Sequence, residues 1–477
     1  MSSSRRRQTA SQKRPSSPKR QQLSARRLAY DVLTAWEQRG VFAGLVLDDI
    51  CQVHEVTGPD RAMAMDIAYG VIRRRATLDA VLAAFVDRPR KNIEDGLWAL
   101  LQIGAYQLLL MTGVPSHAAV GETVEVAKGI RKPAWTGLLN GVLRSLSGAI
   151  RDADDAGPAV DRVPVDLSHS KQLDRAVLPD PSSHVAYLTK AFSYPRWLVR
   201  NWVDERRVED ATRLCDWFNR PPTVTIRVNL LRQTTDVVRE VFDAAGVATE
   251  AGQFAESLRL LDAKPIRDLP GYVEGWFSVQ DESAMSAARL LEPQPGERIL
   301  DMCAAPGGKT THLAELMQNE GSIIAVDTDD TRLARVSENA TRLGLTSIQC
   351  QKISPDGAGL PEGPFDRVLV DVPCSNTGVL GKRPEARWRL NPSDVEELSV
   401  LQRRLLTQAL ASVRAGGHVV YSTCSIAPQE NQQVVREVIK QRDDVQIVRK
   451  IEHIPGQPND GGYQALLRRE VGCASHT

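Results

Sequence analysis

Two cysteines stand where the sequence predicts that buried strands end. Cys374 follows the apolar run 368–373, and Cys424 follows the run 419–423. Because the strands of a doubly wound α/β sheet open onto one crevice at their carboxyl ends, we expect both thiols to face it. A thiolate in that position can act as a nucleophile if a base or a positive neighbour populates it. The alternative is that both cysteines are inert packing residues, which is the ordinary role of a free thiol.

A turn of small residues after another predicted strand indicates a ligand site near these thiols. The strand 298–302 leads into Cys303, Ala304, Ala305, Pro306, Gly307, Gly308 and Lys309. A phosphate-binding P-loop would need glycine at position 303, and no GxGxxG dinucleotide pattern occurs here. S-adenosylmethionine fits better, because it needs only a close backbone turn and an acid for its ribose hydroxyls, which Asp327 supplies about 20 residues further on. A purely structural turn with an acid at a strand end remains the alternative.

A methyl donor and a thiol nucleophile together predict one reaction. Carbon 5 of cytosine is too weakly nucleophilic to attack a methyl sulfonium directly, but a thiolate added to carbon 6 makes the ring enamine-like. Lys309 is the predicted positive neighbour of the thiolate, and Asp371 is the predicted partner of the ring nitrogen N3. A base must then remove the proton from carbon 5, and a second thiol could assist. The predicted catalytic residues are therefore Cys424, Cys374, Asp371 and Lys309.

The charge distribution argues against a protein that binds nucleic acid with its whole surface. The 477 residues predict about three folding units. Lys and Arg total 60 against 59 Asp and Glu, but the first 27 residues hold nine basic residues and no acid, so the rest has a net charge of −8. A mildly acidic body must contact a nucleic acid locally.

The seven cysteines argue against a disulfide scaffold and against a metal site. Their number is odd, and no CxxC pair or close Cys/His cluster occurs. Free thiols imply a reducing compartment, so we expect a cytoplasmic protein without a metal. No apolar run reaches the ~20 residues that a membrane span needs, so we expect no membrane contact.

The hydrophobic pattern divides the chain into five segments. Residues 1–23 are predicted to be a disordered basic tail, either solubilising or RNA-tethering. Residues 24–148 are predicted to be helical throughout, and 149–183 to be a linker. Residues 184–287 are predicted to form a small α+β unit. Residues 288–477 alternate strand and helix, which predicts a mainly parallel, doubly wound sheet with strands at 298–302, 322–326, 365–370 and 417–421.

Three long motifs make the chain resemble a known family. They are CAAPGGKTTHLAE at 303–315, DVPCSNTGVLGKRPEARW at 371–388 and YSTCSIAPQEN at 421–431. In this order they resemble the RNA cytosine-5 methyltransferases of the Nop2/Sun/NusB class. Upstream, segments such as AYGVIRR at 68–74 look like the NusB-type RNA-binding domain. The arrangement is similar to that of the bacterial Sun (RsmB-type) enzymes, which methylate a cytosine of 16S ribosomal RNA.

The resemblance implies a role for each matching residue. Cys424 would be the nucleophile, and Cys374 would assist product release. The turn 303–309, Asp327 and Asp371 would line the pocket for S-adenosylmethionine in a Rossmann-like methyltransferase domain. A further acid is expected after the third strand, and Asp356 fits that position only if a short insertion is allowed. The target cytosine would be flipped out of its stack.

RNA contacts are expected directly after the Cys374 loop. Lys382, Arg383, Arg387 and Trp388 are the predicted contacts to flanking nucleotides, by phosphate pairing and stacking. The alternative is a solvated loop with Trp388 packed inside. The arginine run 73–75 is a second predicted patch, with a solvated helix face as its alternative.

The expected partner is ribosomal RNA, most simply 16S RNA that is free or in an early assembly intermediate, bound by a monomer. Two other functions stay open. The same chemistry could act on transfer RNA or large-subunit RNA, because specificity lies in surfaces that the motifs do not describe. The chain could also be a non-catalytic NusB-like assembly factor, although its cysteines and acids are intact.

Overall fold

This computed structural model describes residues 23–40, 42–153, 157–262, 264–456 and 458–471. The predicted basic tail lies outside these residues except for its last position. The chain divides into two compact units. Unit 1 comprises the chain up to Val71 together with Phe85–Gly148, and unit 2 comprises Ile72–Ala84 and the chain from Ala149 onward.

The N-terminal region is all-helical, as predicted. Its helices are α1 (Ala25–Arg39), α2 (Ala43–His54), α3 (Gly58–Phe85), α4 (Asp95–Leu109), α5 (Ser116–Gly129) and α6 (Thr136–Ala149). The Ser24 hydroxyl caps α1 by accepting from the amide of Arg27 at 3.3 Å, and Gly40 ends the helix in the left-handed region at φ +62°. Helix α3 is continuous from Gly58 to Phe85 and contributes residues to both units.

The segment predicted as a linker, 149–183, carries a small sheet, so that prediction is wrong. Strands β1 (Arg151–Asp152), β2 (Arg162–Pro164) and β3 (Ser170–Gln172) form an antiparallel sheet in the order β1-β3-β2. Val163 is fully buried, and Leu178 packs into the core of the helices that follow. A few buried apolar residues and the strand pairing are enough to order this segment. Its frequent Asp, Pro and Ser residues make those apolar positions hard to recognise in the sequence.

The middle region is the predicted small α+β unit. Three helices, α7 (His184–Ala191), α8 (Arg196–Glu205) and α9 (Val208–Trp217), precede strand β4 (Val224–Val228), helix α10 (Thr235–Ala244) and strands β5 (Thr249–Ala251), β6 (Ser257–Leu260) and β7 (Phe277–Val279). The sheet order is β5-β6-β4-β7, and every pair is antiparallel. Its core contains the fully buried Ile226, Phe242 and Phe277.

The C-terminal region is a seven-stranded sheet covered by helices. Its strands are β8 (Arg298–Met302), β9 (Ser322–Asp327), β10 (Ile348–Lys352), β11 (Phe365–Asp371), β12 (Val413–Thr423), β13 (Val445–His453) and β14 (Gly462–Arg469). Its helices are α11 (Glu282–Leu291), α12 (Gly308–Leu316), α13 (Asp330–Leu343), α14 (Ala386–Arg389), α15 (Pro392–Ser412) and α16 (Gln432–Ile439). The mainly parallel, doubly wound sheet is therefore confirmed, with β10, β13 and β14 as strands that the sequence did not predict.

The strand order places a crevice at the centre of this sheet. The order is β10-β9-β8-β11-β12-β14-β13, with parallel pairs from β10 to β12 and antiparallel pairs around β14. The chain moves outward in one direction from β8 and in the other from β11, so the two strands flank a topological switch point. In the described residues no helix is long and apolar enough to cross a lipid bilayer.

Candidate active site

The two predicted thiols lie side by side. The Sγ atoms of Cys374 and Cys424 are 3.1 Å apart, and both side chains are half-buried. The strand register explains this, because Asp371 at the end of β11 is paired with Ser422 near the end of β12. The two loops that leave these strands therefore start together, and each reaches its cysteine within three residues.

Asn376 contacts both cysteines and was not predicted from the sequence. Its Oδ1 accepts from the protonated Cys424 thiol at 3.2 Å, and its Nδ2 donates to the carbonyl of Cys374 at 2.9 Å. The exposed Arg383 donates to the same Oδ1 at 3.1 Å. Asn376 sits in the left-handed region at φ +59°, which asparagine tolerates better than most residues. The Cys-Ser-Asn order in the loop was the available signal for this turn.

The surroundings favour a thiolate at position 424 rather than at 374. The hydrogen bond with Cys374 lowers the pKa of Cys424, and the positive charges of Lys309 and Arg383 act in the same direction, against burial and the charge of Asp371. The same hydrogen bond, together with burial, raises the pKa of Cys374 well above its usual value, and the charge of Glu430 adds to this. A neutral Cys374 can then donate to a charged Cys424.

Lys309 links the small-residue turn to the Cys374 loop. Its Nζ donates to Oδ2 of Asp371 at 2.7 Å. Burial lowers the pKa of Lys309, but the Asp371 carboxylate and the Cys424 thiol more than offset this, so the pKa lies above its ordinary value. Lys309 therefore stays charged next to Cys424.

The two glycines of the 303–309 turn serve different purposes. Gly307 is the N-cap of α12 at φ +98°, and a Cβ atom there would lie 3.0 Å from the Cα of Val336. Gly308 has open space where a Cβ would stand. The first glycine is therefore required by conformation and packing, and the second leaves room for a ligand against the first turn of α12.

Three carboxylates surround this turn. Asp327 is buried at the end of β9 and accepts from the amides of Thr328 at 2.8 Å and Ala305 at 3.3 Å. Asp301 accepts from the Thr310 hydroxyl at 2.6 Å. Burial raises its pKa to about 7, and its Oδ1 has no hydrogen-bond partner among the described residues. Asp371 completes the group.

These groups suit a cationic ligand that carries hydroxyls. The acids balance positive charge, the orphaned carboxyl oxygen can accept a further donor, and Gly308 leaves space beside them. Cys303 lines the same turn, but burial first and the neighbouring acids second raise its pKa to about 12, so it is not a nucleophile there. In the described part of the chain no three His, Cys, Asp or Glu residues lie close enough to hold a metal ion.

Comparison with known proteins places the chain in a family. Residues 288–467 match the family model described as 16S rRNA methyltransferase RsmB/F. Residues 23–147 match the NusB family, and residues 194–267 match the ferredoxin-like domain of RsmF/B-like methyltransferases. A protein of Synechocystis sp. named "Probable ribosomal RNA small subunit methyltransferase B" is 34% identical over 426 residues, which cover 88% of this chain and 90% of the relative. The chain belongs to the ribosomal RNA small subunit methyltransferase B family.

Other similar proteins agree with this assignment. The ribosomal RNA small subunit methyltransferase B of Klebsiella pneumoniae is 32% identical over 456 residues, covering 94% of this chain and 96% of its own. A solved methyltransferase homolog protein from Pyrococcus horikoshii superposes with a TM-score of 0.54 at 27% identity, covering 61% of this chain and all of that one. The predicted family, the NusB-like region and the Rossmann-like fold are confirmed.

Arg387 is not available to RNA, so this part of the predicted interface is wrong. Its side chain is fully buried, and its guanidinium donates to the carbonyls of Ser193 and Phe218, both at 3.1 Å. It lies over the ring of Tyr194, 4.1 Å from the centroid, and burial lowers its pKa to about 10. Arg387 therefore holds the loop after Cys374 against α7 and α9.

The neighbouring aromatic residue and the arginine run also serve packing. Trp388 is half-buried and donates from Nε1 to the carbonyl of Ile72 at 2.8 Å, which corresponds to the packed alternative. Arg73 donates to the carbonyl of Gly381 at 3.1 Å, and Arg74 is buried. The patch predicted at 73–75 is therefore partly wrong, because these cations hold backbone groups of unit 2.

The remaining predicted contacts stay open. Lys382 is partly exposed, but its ammonium pairs with Asp281 at 2.7 Å and with Asp460 at 2.8 Å. Arg383 is exposed beside the thiols. Asp356 is exposed, and its carboxylate accepts from the amide of Ala358 in its own loop at 3.0 Å. Of these, Arg383 is the one that the structure brings to the cysteines.

Proposed function

We propose that this protein transfers a methyl group from S-adenosylmethionine to carbon 5 of a cytosine in small-subunit ribosomal RNA. The observation that carries the proposal is the pair of thiols 3.1 Å apart, next to the Lys309–Asp371 ion pair at the switch point of the sheet. The names of the relatives support ribosomal RNA as the substrate. Methylation of an amino group would need no such pair of thiols.

The glycines of the 303–309 turn and the acids around it would hold the donor. Asp327 would accept from ribose hydroxyls, and the space beside Gly308 would admit the ligand against the backbone. When bound, S-adenosylmethionine supplies an electrophilic methyl group on a sulfonium. Asp371 is an anionic neighbour for such a ligand, and the positive charge of the ligand would favour the ionised form of Asp301, whose pKa burial raises to about 7.

The first chemical step is addition of Cys424 to the ring. The target cytosine leaves its stack so that carbon 6 meets Sγ of Cys424. The thiolate forms a bond to carbon 6, and the electron pair of the C5–C6 double bond shifts towards the ring carbonyl and N3. The Asp371–Lys309 pair stabilises N3 by a hydrogen bond or by delivering a proton. Carbon 5 is then nucleophilic enough to take the methyl group.

The last step restores the thiol. The proton on carbon 5 leaves to a base, the C5–C6 double bond re-forms, and the bond between carbon 6 and Sγ of Cys424 breaks. Cys374 lies close enough to Cys424 to assist this release. Its raised pKa keeps Cys374 neutral, so it can donate a hydrogen bond to the Cys424 thiolate as that sulfur leaves carbon 6.

Replacing the nucleophile tests this function. Purified Cys424→Ala protein should show no methylation of a 16S RNA transcript, because no adduct forms, while donor binding persists because the turn is untouched. Cys350→Ala is the matched control, since Cys350 is an exposed thiol on β10 and should leave the rate unchanged. Full activity of Cys424→Ala would contradict the mechanism.

A second experiment identifies the substrate. Bisulfite sequencing of total RNA from cells with and without the gene detects each cytosine that loses its methyl group. Loss at one position of the small-subunit RNA is the expected result. Loss in transfer RNA or large-subunit RNA would change the substrate, and no loss at all would favour a non-catalytic assembly factor.

A further inference from the structure

Glu430 is a buried carboxylate that contacts both cysteine loops. Its side chain has no exposed surface. Its Oε1 accepts from the amide of Ser375 at 2.8 Å, and its Oε2 accepts from the hydroxyls of both Ser375 and Ser425, the latter at 2.5 Å. Ser375 follows Cys374 directly, and Ser425 follows Cys424. One carboxylate therefore holds the residue after each thiol.

Neighbouring side chains hold the residues before the thiols. Gln402 of α15 donates to the same carboxylate at 3.0 Å and to the carbonyl of Pro373 at 2.8 Å. The hydroxyl of Thr423 donates to Asn431 at 2.6 Å, and the Asn431 amide donates to the carbonyl of Ser425 at 2.9 Å. Hydrogen bonds thus hold the residues before and after each cysteine, and the Glu430 carboxylate connects the two loops.

Stability alone does not account for a charged residue at this position. The partners of the Glu430 carboxylate in the described chain are an amide N–H, two hydroxyls and the Gln402 side chain, all neutral groups. Burying a charge without a counter-charge is costly, and glutamine would fill the same space. Glutamine, however, has one acceptor oxygen. With that oxygen at the Oε2 position, its N–H groups would face the Ser375 amide and the Gln402 amide, which are both donors.

We propose that Glu430 is a positioning residue that sets the separation of the Cys374 and Cys424 sulfurs. This inference rests on the proposed function, in which the two thiols act in turn on one base. The charge of Glu430 also disfavours a thiolate at Cys374, which keeps the proton on the thiol that is not the nucleophile. Glu430 itself does not touch the substrate.

The test measures how readily the two thiols close into a disulfide. Diamide takes up two electrons and two protons as the Sγ–Sγ bond forms, and mass spectrometry of the peptides identifies the 374–424 pair. Wild-type protein should close quickly because the sulfurs are already adjacent. Glu430→Gln should close about tenfold more slowly or worse, since a displacement of about 1 Å strongly reduces such proximity-dependent rates.

Two further measurements separate positioning from general damage. In Glu430→Gln the methylation rate should fall about tenfold or more, while the donor dissociation constant and the melting temperature stay near the wild-type values. Glu282→Gln is the matched control, because Glu282 is a fully buried carboxylate of α11 that is bonded to Ser257 and Arg259 away from the cysteines. Its disulfide closure should match the wild type.

The outcomes are distinct. Equal closure and equal methylation rates in Glu430→Gln and wild type would overturn the positioning role, and so would a wild-type protein that does not form the 374–424 disulfide. If neither protein methylates RNA, the proposed function fails, while the closure rates still decide whether Glu430 positions the thiols.

Discussion

Two identical side chains in contact have unlike surroundings at this site. The hydrogen bond from Cys374 lowers the pKa of Cys424, helped by Lys309 and Arg383 and opposed by burial and Asp371. The same hydrogen bond, burial and the charge of Glu430 raise the pKa of Cys374. A nucleophile needs the charged form, and a hydrogen-bond donor to a thiolate needs the neutral form. The difference in surroundings of two sulfurs 3.1 Å apart therefore assigns each its part.

Removal of the second thiol should trap the intermediate. In Cys374→Ala, Cys424 still adds to the ring, but release loses a hydrogen-bond donor to the departing thiolate. It should slow about 10- to 100-fold, since a hydrogen bond to a charged group contributes about 1.5–3 kcal/mol. Protein covalently bound to RNA should then appear as a slow band in a denaturing gel. Cys215→Ala, which removes a buried thiol elsewhere in unit 2, should show no such band. Normal turnover of Cys374→Ala without a trapped band would contradict its release role.

The sequence was sufficient for the thiols but not for the residues that hold them. Cys374 and Cys424 follow strands whose apolar runs are recognisable, so topology alone brings them together. Glu430 lies 55 residues from its partner Ser375, and no local pattern indicates a contact at that separation. Arg387 is the opposite case. Its charge predicted an RNA contact, but the loop after Cys374 places its side chain in the interior.

At the scale of elements, strand β4 of the middle region holds α12, the helix that follows the 303–309 turn. Arg227 of β4 is fully buried and bonds Glu315 of α12 at 2.8 Å. It also donates to the carbonyl of Gly308 at 2.8 Å and to the Thr311 hydroxyl at 3.0 Å. A residue of the middle region therefore holds the first turn of α12, which belongs to the C-terminal region.

Arg227→Lys should loosen this turn. Lysine keeps the charge but cannot reproduce the planar fork that bonds several oxygens. We expect donor affinity to fall about tenfold, and stability to fall by about 2 kcal/mol for the lost charged hydrogen bonds. Calorimetric titration and thermal unfolding measure these effects, with Arg239→Lys on the exposed face of α10 as the control. Unchanged donor affinity in Arg227→Lys would show that Arg227 does not support donor binding.

The sequence predicted the four central parallel strands and missed the edge strands β10 and β13 and the interior antiparallel strand β14. Strands β8, β9, β11 and β12 are rich in buried Val, Ile and Leu, which marks central parallel strands. Strand β10 lies at the sheet edge with mostly exposed polar residues, and β13 lies at the other edge with no fully buried residue. Edge strands carry little hydrophobic signal, and the same weakness hid the small sheet in 149–183.

At the scale of the whole molecule, a buried histidine predicts how stability responds to acid. His312 of α12 lies 3.3 Å from Glu256, close to Arg227 and Arg289. Burial first, and then the arginines, lower its pKa from 6.5 to about 4. The unfolded chain therefore takes up a proton at a higher pH than the folded chain. The stability from neutral His312 is complete above pH 6.5 and is lost as the pH falls through about 4.

His312→Asn should remove this component. Between pH 7 and pH 4 the wild type should lose up to about 3 kcal/mol more unfolding free energy than the variant, the linkage value of such a shift. Chemical denaturation at a series of pH values measures the difference. His184→Asn replaces an exposed histidine of the same unit and should keep the wild-type slope. If the unfolding free energy of His312→Asn fell with pH as steeply as that of the wild type, the loss of stability in acid would come from other groups.

The contribution of Ile72–Ala84 to unit 2 has a consequence for synthesis of the chain. The carbonyl of Arg73 accepts from Arg387, which lies 314 residues later, so at translation speeds of about 5–20 residues per second this partner follows by roughly 15–60 s. Ala76 and Thr77 bond Ser193 and Ala191, which lie 117 and 114 residues later. Leu78, Val81 and Leu82 lie on the same helix end and are buried in the finished protein. A nascent chain that stalls before these partners carries an apolar helix end whose contacts are incomplete, which is the kind of surface that chaperones bind and that aggregates when they do not.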